Sequence, residues 1–272
     1  MNSPPSSQRQ GLRYELHLCA VAFQFYSRVP VRLPLAFDHT DLNACTRYFP
    51  VVGAGVGLTS GLVFLLICAA LGSQQAFAAA VLAVACSALL TGAFHEDGLA
   101  DMADGLGGGQ TVQQRLTIMK DSRIGTYGAL ALLLATLLRI SLVSALATQS
   151  AGLALAILVA AAVASRSNAA LLIGILPYAR EDASSKVRPV AHSLSPLNRN
   201  YLLTLGLASL LLPAFLGPLV LMVLLTVFAL AVLLMYFRQA LSSRLGGYTG
   251  DCLGGLQQLS ELAILLILVA GL

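Results

Sequence analysis

Seven stretches of about 20 predominantly apolar residues dominate this sequence, and each is long enough to cross the hydrocarbon core of a bilayer as a helix. Charged residues make up only 10% of the chain and the mean hydropathy is +0.82, whereas a soluble domain carries about 25% charged residues. We therefore predict an all-α fold, a polytopic integral membrane helix bundle with about seven transmembrane helices. The predicted spans are residues 49–71, 76–94, 127–147, 152–176, 196–216, 218–237 and 253–272.

The region around the first span carries two further structural signals. Residues 12–25 are shorter and more polar than a span, which predicts an N-terminal amphipathic helix at the membrane surface. Residues 1–10 are predicted to be a disordered tail. Within the span, Gly53, Gly57 and Gly61 form a GxxxGxxxG face that predicts close packing against another helix.

The basic residues predict the orientation of the chain. All but two of the 16 Lys and Arg residues fall on one side, in the N-terminal region and in the loops at 95–126, 177–195 and 238–252, with Arg199 counted at the start of its helix. Because Lys and Arg are enriched in cytoplasmic loops, this side is predicted to be cytoplasmic at the cell inner membrane. The same bias explains the formal net charge of +4, which therefore gives no reason to expect nucleic acid as a partner.

Four carboxylates lie within nine residues at the end of the second predicted span: Glu96, Asp97, Asp101 and Asp104. On a helix, Asp97, Asp101 and Asp104 are spaced i, i+4 and i+7, so they project from one face and repel each other. No Lys or Arg occurs between positions 47 and 115 to neutralise them. Carboxylate oxygens suit a hard cation such as Mg²⁺. We predict a metal site here in preference to a solvated acidic face.

The stretch before the third span, Lys120-Asp121-Ser122-Arg123-Ile124-Gly125, combines another carboxylate with two cations and a glycine. Lys120 and Arg123 suit phosphate oxygens, although basic residues are also common beside a membrane for reasons of topology. Upstream, Thr111 and Gln114 predict a capping box at the start of a short amphipathic helix.

Two further residues are candidates for contact with a ligand. Asp251 lies in a glycine-rich stretch at 246–255, at the start of the last span, where a helix cap explains it equally well. His95 lies about 200° around the helix from Asp97, so it is either a substrate contact or an ordinary residue of the membrane interface.

Three ionisable residues lie deep within predicted spans: Arg139, Arg166 and Glu261. Such residues are costly in a bilayer and mark either an internal ion pair or a functional site, and the sequence leaves both interpretations open.

Carboxylates, Lys and Arg together on one membrane face indicate metal-assisted transfer of a phosphate-linked group. We interpret residues 1–272 as a single transmembrane catalytic domain, with 95–126 as its cytoplasmic active-site loop.

Several motifs together resemble the cobalamin synthase family of adenosylcobinamide-GDP ribazoletransferases. They are, in family order, Tyr26-Ser27-Arg28-Val29-Pro30, Tyr48-Phe49-Pro50-Val51-Val52-Gly53, the acidic stretch 95–105, Met119-Lys120-Asp121-Ser122-Arg123-Ile124-Gly125 and Thr249-Gly250-Asp251. The resemblance implies a Mg²⁺-dependent transferase that joins α-ribazole, or its 5′-phosphate, to adenosylcobinamide-GDP and releases GMP. The product would be adenosylcobalamin or its 5′-phosphate, in a final step of vitamin B12 biosynthesis.

The same resemblance implies roles for individual residues. The catalytic residues that hold Mg²⁺ would be Asp97, Asp101, Asp104 and Asp121. The residues that contact the substrates would be His95, Lys120, Ser122, Arg123 and Asp251. The implied partners are the two small-molecule substrates and the lipid bilayer, without nucleic acid, and the sequence leaves a homo-oligomer open.

Two other functions are alternatives. A CDP-alcohol phosphotransferase uses a similar acid-rich helix with the pattern Asp-Gly-x-x-Ala-Arg, but here Asp97-Gly98-Leu99-Ala100-Asp101 has no following Arg. A cation-coupled transporter could use Arg139, Arg166 and Glu261. Such a transporter would place its main acids near the bilayer midplane, whereas these acids cluster at the predicted cytoplasmic edge.

Overall fold

The computed structural model describes residues 11–38, 40–179, 191 and 193–272, and within these ranges every regular element is helical. The predicted tail at 1–10 and most of the predicted loop at 177–195 lie outside the described residues. The helices are α1 (Leu12–Tyr26), α2 (Thr40–Cys45), α3 (Phe49–Leu71), α4 (Ala76–Thr91), α5 (Phe94–Gly108), α6 (Val112–Ile118), α7 (Thr126–Ala145), α8 (Ala151–Leu171), α9 (Pro196–Leu216), α10 (Val220–Leu245) and α11 (Gly250–Ala270).

Seven helices in the described ranges are long and apolar enough to cross a membrane, which confirms the predicted bundle. They are α3, α4, α7, α8, α9, α10 and α11. The chain is therefore a multi-pass membrane protein.

The predicted loop at 238–252 is wrong in extent, because α10 continues to Leu245 and ends where Gly246 adopts a φ of 72°. Hydropathy detects only the apolar part of a helix, and the polar residues after 237 are compatible with further helical turns.

The second predicted span, 76–94, is three residues too long, because α4 stops at Thr91. Gly92 and Ala93 follow with φ values of 69° and 58°, and this left-handed pair separates α4 from α5. A left-handed conformation is strained for alanine. The alanine at position 93 therefore does not predict that the helix ends there. The acidic stretch is consequently a helix of its own.

The central helix of the bundle is α8, whose apolar stretch is 83% buried. Its alanines permit close approach by α3 along the predicted glycine face. A Cβ at Gly57 would lie 2.9 Å from the Cβ of Ala162, and one at Gly53 would lie 2.8 Å from the Cδ of Arg166. A Cβ at Gly61 would also meet α8. The GxxxGxxxG packing prediction is therefore confirmed.

The acidic helix α5 crosses the start of α11 with the two backbones almost in contact. A Cβ at Gly98 would lie 3.0 Å from the carbonyl oxygen of Asp251, and one at Gly254 would lie 3.1 Å from that of His95. Only residues without a side chain allow helices to approach so closely. This crossing brings the acidic stretch and the start of the last span together at one end of the bundle.

The predicted N-terminal amphipathic helix is present as α1. Leu18 and Val21 are fully buried against the bundle, whereas Leu12 and Leu16 on the opposite side are exposed. A single buried face with apolar residues also on the outer side is typical of a helix that lies in the membrane interface.

Candidate active site

The predicted acidic face lies on α5, and burial increases along it. Asp97 in the first turn is exposed, Asp101 is half-buried, and Asp104 is only 7% exposed. The first turn also presents backbone N–H groups without helical partners, which favour a negative charge such as that of Asp97. The three carboxylates share one face, as their spacing predicts, but they have different surroundings.

Asp104 is engaged by the start of α7. Its two carboxylate oxygens accept hydrogen bonds from the backbone N–H groups of Gly125 and Gly128, over 2.7 and 2.9 Å. These donors would otherwise be unsatisfied at a helix N-terminus. Glycine at both positions leaves room for these bonds, because a Cβ at Gly125 would lie 2.5 Å from the carboxylate and one at Gly128 would also clash with it. Asp104 thus caps α7 and holds the preceding turn against α5.

Asp121 and Arg123 form an ion pair with each other at the surface. The Nε and Nη2 of Arg123 donate to the carboxylate over 3.0 and 2.6 Å, and the backbone N–H of Arg123 adds a bond of 3.1 Å. The Arg123 side-chain and backbone hydrogen bonds lower the pKa of Asp121. The Arg123 side chain is 88% exposed, and Lys120 and Ser122 are exposed as well. All the side chains predicted to bind phosphate therefore face solvent.

The short helix α6 positions this turn. The predicted capping box is confirmed, since Thr111 accepts from the backbone N–H of Gln114 and the Gln114 side chain accepts in return. Arg115 then ties α6 to two other elements by donating to the carbonyl oxygens of Gly109 and Arg244 over 3.0 and 2.9 Å. Met119, at the end of α6, is buried against Gly105. The turn at 120–125 is thus fixed beside α5 at both ends.

Asp251 lies beside the acidic helix. The crossing of α5 over α11 places its backbone directly against Gly98, between the positions of Asp97 and Asp101. The N-cap of α11 is Thr249, which accepts from the N–H of Cys252, so Asp251 is not the cap itself. The hydroxyl of Thr249 donates to the Asp251 carboxylate over 3.2 Å.

Buried ion pairs lie behind the acidic face. Arg139 of α7 donates to Glu261 of α11 over 2.6 Å and lies 3.5 Å from Glu96 of α5. Arg166 of α8 lies 3.8 Å from Glu261. The two positive and two negative charges balance, as buried charges require. Of the two interpretations left open by the sequence, the internal ion pair is present, which counts against a transporter that binds its cation at Glu261.

Glu96 is the member of this network that the sequence interpretation missed. Besides Arg139, it accepts a hydrogen bond of 3.2 Å from Gln258, while Gln257 donates to Glu261 over 2.6 Å. The position of Glu96 on the helix could have indicated this, because Glu96 lies about 100° around the helix from Asp97. It therefore could not share the outward acidic face.

His95 lies on the inner side of α5, only 2% exposed. Its ring stacks on that of Phe49, with centroids 5.7 Å apart and an interplanar angle of 15°. Burial, followed by the charges of Arg166 and Arg139, lowers the pKa of His95, so the ring is neutral. The structure does not bring His95 together with the outward carboxylates.

In the described ranges, no three His, Cys, Asp or Glu side chains converge closely enough to hold a metal ion by themselves. Asp104 is hydrogen-bonded to the start of α7, and Asp121 is paired with Arg123. The predicted ligand set of four carboxylates therefore stays a prediction. Proteins usually bind Mg²⁺ through one or two carboxylates plus substrate phosphates and water. The exposed Asp97 and half-buried Asp101, a helical turn apart, fit that mode of binding.

The family model for CobS, cobalamin-5-phosphate synthase, matches residues 18–269. Three similar proteins are called adenosylcobinamide-GDP ribazoletransferase. The protein from Vibrio parahaemolyticus is 44% identical over 99% of this chain and 98% of its own length. That from Vibrio cholerae is 43% identical over 95% of both chains. That from Shewanella amazonensis is 44% identical over 94% of this chain and 95% of its own. No solved structure matches.

Proposed function

This chain belongs to the cobalamin-5-phosphate synthase family, and we propose that it is a Mg²⁺-dependent adenosylcobinamide-GDP ribazoletransferase. The observation that carries this proposal is the hydrogen bonding of Asp104 to the backbone of Gly125 and Gly128. These bonds hold a cationic turn against an acidic helix. An acidic face and exposed cations side by side suit a diphosphate substrate that arrives with a metal ion.

The proposed reaction is an in-line displacement at phosphorus. A hydroxyl oxygen of α-ribazole, or of its 5′-phosphate, attacks the cobinamide-side phosphorus of the diphosphate in adenosylcobinamide-GDP. One P–O bond forms and the bridging P–O bond breaks, so GMP leaves with the bridging oxygen and its electron pair. The hydroxyl proton is released to the aqueous side, and the product is adenosylcobalamin or its 5′-phosphate.

Mg²⁺ supplies positive charge to the phosphate oxygens when it is bound. Asp97 and Asp101, on the outward face of α5, are the proposed ligands that would hold it. Asp121 would serve as a third ligand if Arg123 bound a phosphate oxygen in place of this carboxylate. Asp104 keeps the turn and its cations within reach of these ligands through its bonds to α7.

The turn at 120–123 is proposed to bind the diphosphate. The guanidinium of Arg123 already makes a two-point contact with a carboxylate, and phosphate accepts the same fork geometry. Lys120 and Ser122 add a charge and a hydroxyl from the same exposed turn. Asp251 lies beside Gly98 of α5, at the start of α11, and is proposed to contact a substrate hydroxyl or amide.

The reaction is proposed to take place at the cytoplasmic face of the cell inner membrane. The support is the distribution of Lys and Arg, which is concentrated on the side that carries α5 and the turn at 120–125.

The function is tested by incubating the detergent-purified protein with adenosylcobinamide-GDP, α-ribazole and Mg²⁺, followed by mass analysis. We expect adenosylcobalamin and GMP in equal amounts, loss of both on chelation, and recovery when Mg²⁺ is restored. The matched control omits α-ribazole and should yield neither product. Release of GMP without α-ribazole, or no joined product under any condition, would contradict the proposal.

A further inference from the structure

A cleft on the outer side of α3 and α4 lies apart from the residues of the proposed active site. It encloses about 530 Å³, which is within the range of about 300–1,000 Å³ of ligand pockets. Its walls are apolar and include Val29, Pro30, Val63, Leu82, Ala85 and Leu89. Leu82 and Leu89 are 47% and 71% exposed, so the cleft opens toward the surrounding lipid.

Arg28 is the one charged residue among the described residues that line this cleft. Its backbone N–H donates to the carbonyl oxygen of Leu90 over 2.7 Å. Its side chain lies across Gly92, where a Cβ would stand 3.1 Å from the Cζ of Arg28. Gly92 also has a left-handed φ of 69°. These contacts hold the guanidinium at the end of α4, where the cleft reaches the last turn of that helix.

The guanidinium of Arg28 has no hydrogen-bond acceptor in the part of the chain that the structure describes. At the end of α4, the carbonyl oxygen of Leu89 accepts from the N–H of Gly92 and that of Leu90 accepts from the N–H of Arg28. Five N–H donors are therefore available to an external acceptor. Phosphate is the acceptor that best matches their planar arrangement.

We propose that this cleft binds one phospholipid with a net negative headgroup, with its phosphate on Arg28 and an acyl chain along the apolar wall. A single fixed cation at the end of an apolar cleft complements an amphiphilic anion. Free phosphate would leave the wall uncovered, and a second copy of the chain would have to bring a carboxylate to Arg28. Because α4 is a membrane span that ends here, Arg28 stands at the level of the headgroups.

Native mass spectrometry of the detergent-purified protein with added phosphatidylglycerol tests the proposal. We expect one tightly retained lipid per chain, and weaker retention of phosphatidylcholine with the same acyl chains. Arg28→Gln should weaken phosphatidylglycerol binding by about tenfold, as expected for loss of a charge-assisted hydrogen bond. Ala85→Leu, which fills the cleft but keeps Arg28, should also weaken it.

The matched control is Arg199→Gln, which removes an exposed arginine at the start of α9 and should leave lipid binding unchanged. Inorganic phosphate should not compete with phosphatidylglycerol at equal concentration, because it cannot use the apolar wall. Equal binding of phosphatidylglycerol by wild type and Arg28→Gln would overturn the proposal. So would equal binding of both lipids, or the appearance of a two-chain species in place of the lipid adduct.

Discussion

At the scale of single residues, the carboxylates of the acidic stretch have three different kinds of partner. Asp97 faces solvent, Asp104 accepts two backbone hydrogen bonds, and Glu96 is paired with Arg139. The spacing of the acids predicts which of them share a face. It does not predict the partners of Asp104, because these lie 21 and 24 residues further along the chain.

Asp104→Asn separates the capping role from a role in metal binding. An amide offers one acceptor oxygen where the carboxylate offers two, and its NH₂ group would oppose one of the two backbone donors. We expect a loss of about 1–3 kcal/mol of stability, the cost of a buried donor left unsatisfied. A melting temperature measured in detergent should fall for Asp104→Asn and stay unchanged for the exposed Asp97→Asn. Equal melting temperatures would contradict the capping role.

His95 predicts a pH dependence of stability. Because burial lowers the pKa of the folded ring well below 6.5, the unfolded chain binds more protons than the folded chain as the pH falls through about 6.5. The stability associated with neutral His95 is therefore complete above this pH and is lost below it. Melting temperatures between pH 8 and pH 5 should fall more steeply for wild type than for His95→Phe. Parallel curves would show that His95 does not contribute.

At the scale of helices, α5 is positioned by its crossing with α11 and by the start of α7. Hydropathy predicts the seven spans because lipid-crossing helices need long apolar runs. It misses the end of α4, where Ala93 adopts an unfavourable φ of 58°, and the end of α10, which continues beyond its apolar part to Leu245. Hydropathy also does not predict the crossing of Gly98 over Gly254, because a glycine in a helix indicates a close contact but not which helix makes it.

Gly98→Ala tests this crossing. The added Cβ would lie 3.0 Å from the carbonyl oxygen of Asp251, and neither backbone can yield without moving α5 relative to α11. We expect a lower melting temperature together with a lower kcat. Gly108→Ala on the same helix is the matched control, because its Cβ would lie 3.6 Å from Ile118 in ordinary contact. Similar losses for the two variants would mean that the crossing has no special role.

At the scale of the whole molecule, four buried charges link the helices that surround the site. Arg139, Arg166, Glu96 and Glu261 come from α7, α8, α5 and α11. Three of these residues could be identified from the sequence because they interrupt apolar spans. Their pairing is one of the two interpretations that the sequence leaves open, and the sequence alone does not select it, because Arg139 and Glu261 are 122 positions apart.

Arg139→Ala and Glu261→Ala should each lower the yield and the melting temperature of the protein. Removing one partner of a buried ion pair typically costs about 3–5 kcal/mol, because the other charge is left without compensation. The double variant should lose less than the two single losses added together. Fully additive losses, measured by thermal unfolding in detergent, would mean that the two residues do not act as a pair.

The turnover of Asp97→Asn and Asp101→Asn across a Mg²⁺ titration tests the central claim, that the outward face of α5 holds the metal of the transfer reaction. Each variant should insert normally, and Asp97→Asn should keep the melting temperature of the wild type, because the side chain of Asp97 is exposed on the outward face of α5. We expect kcat to fall by at least about 100-fold, or about 2.7 kcal/mol at 1.36 kcal/mol for each factor of ten. Near-wild-type turnover of both variants throughout the titration would contradict the claim.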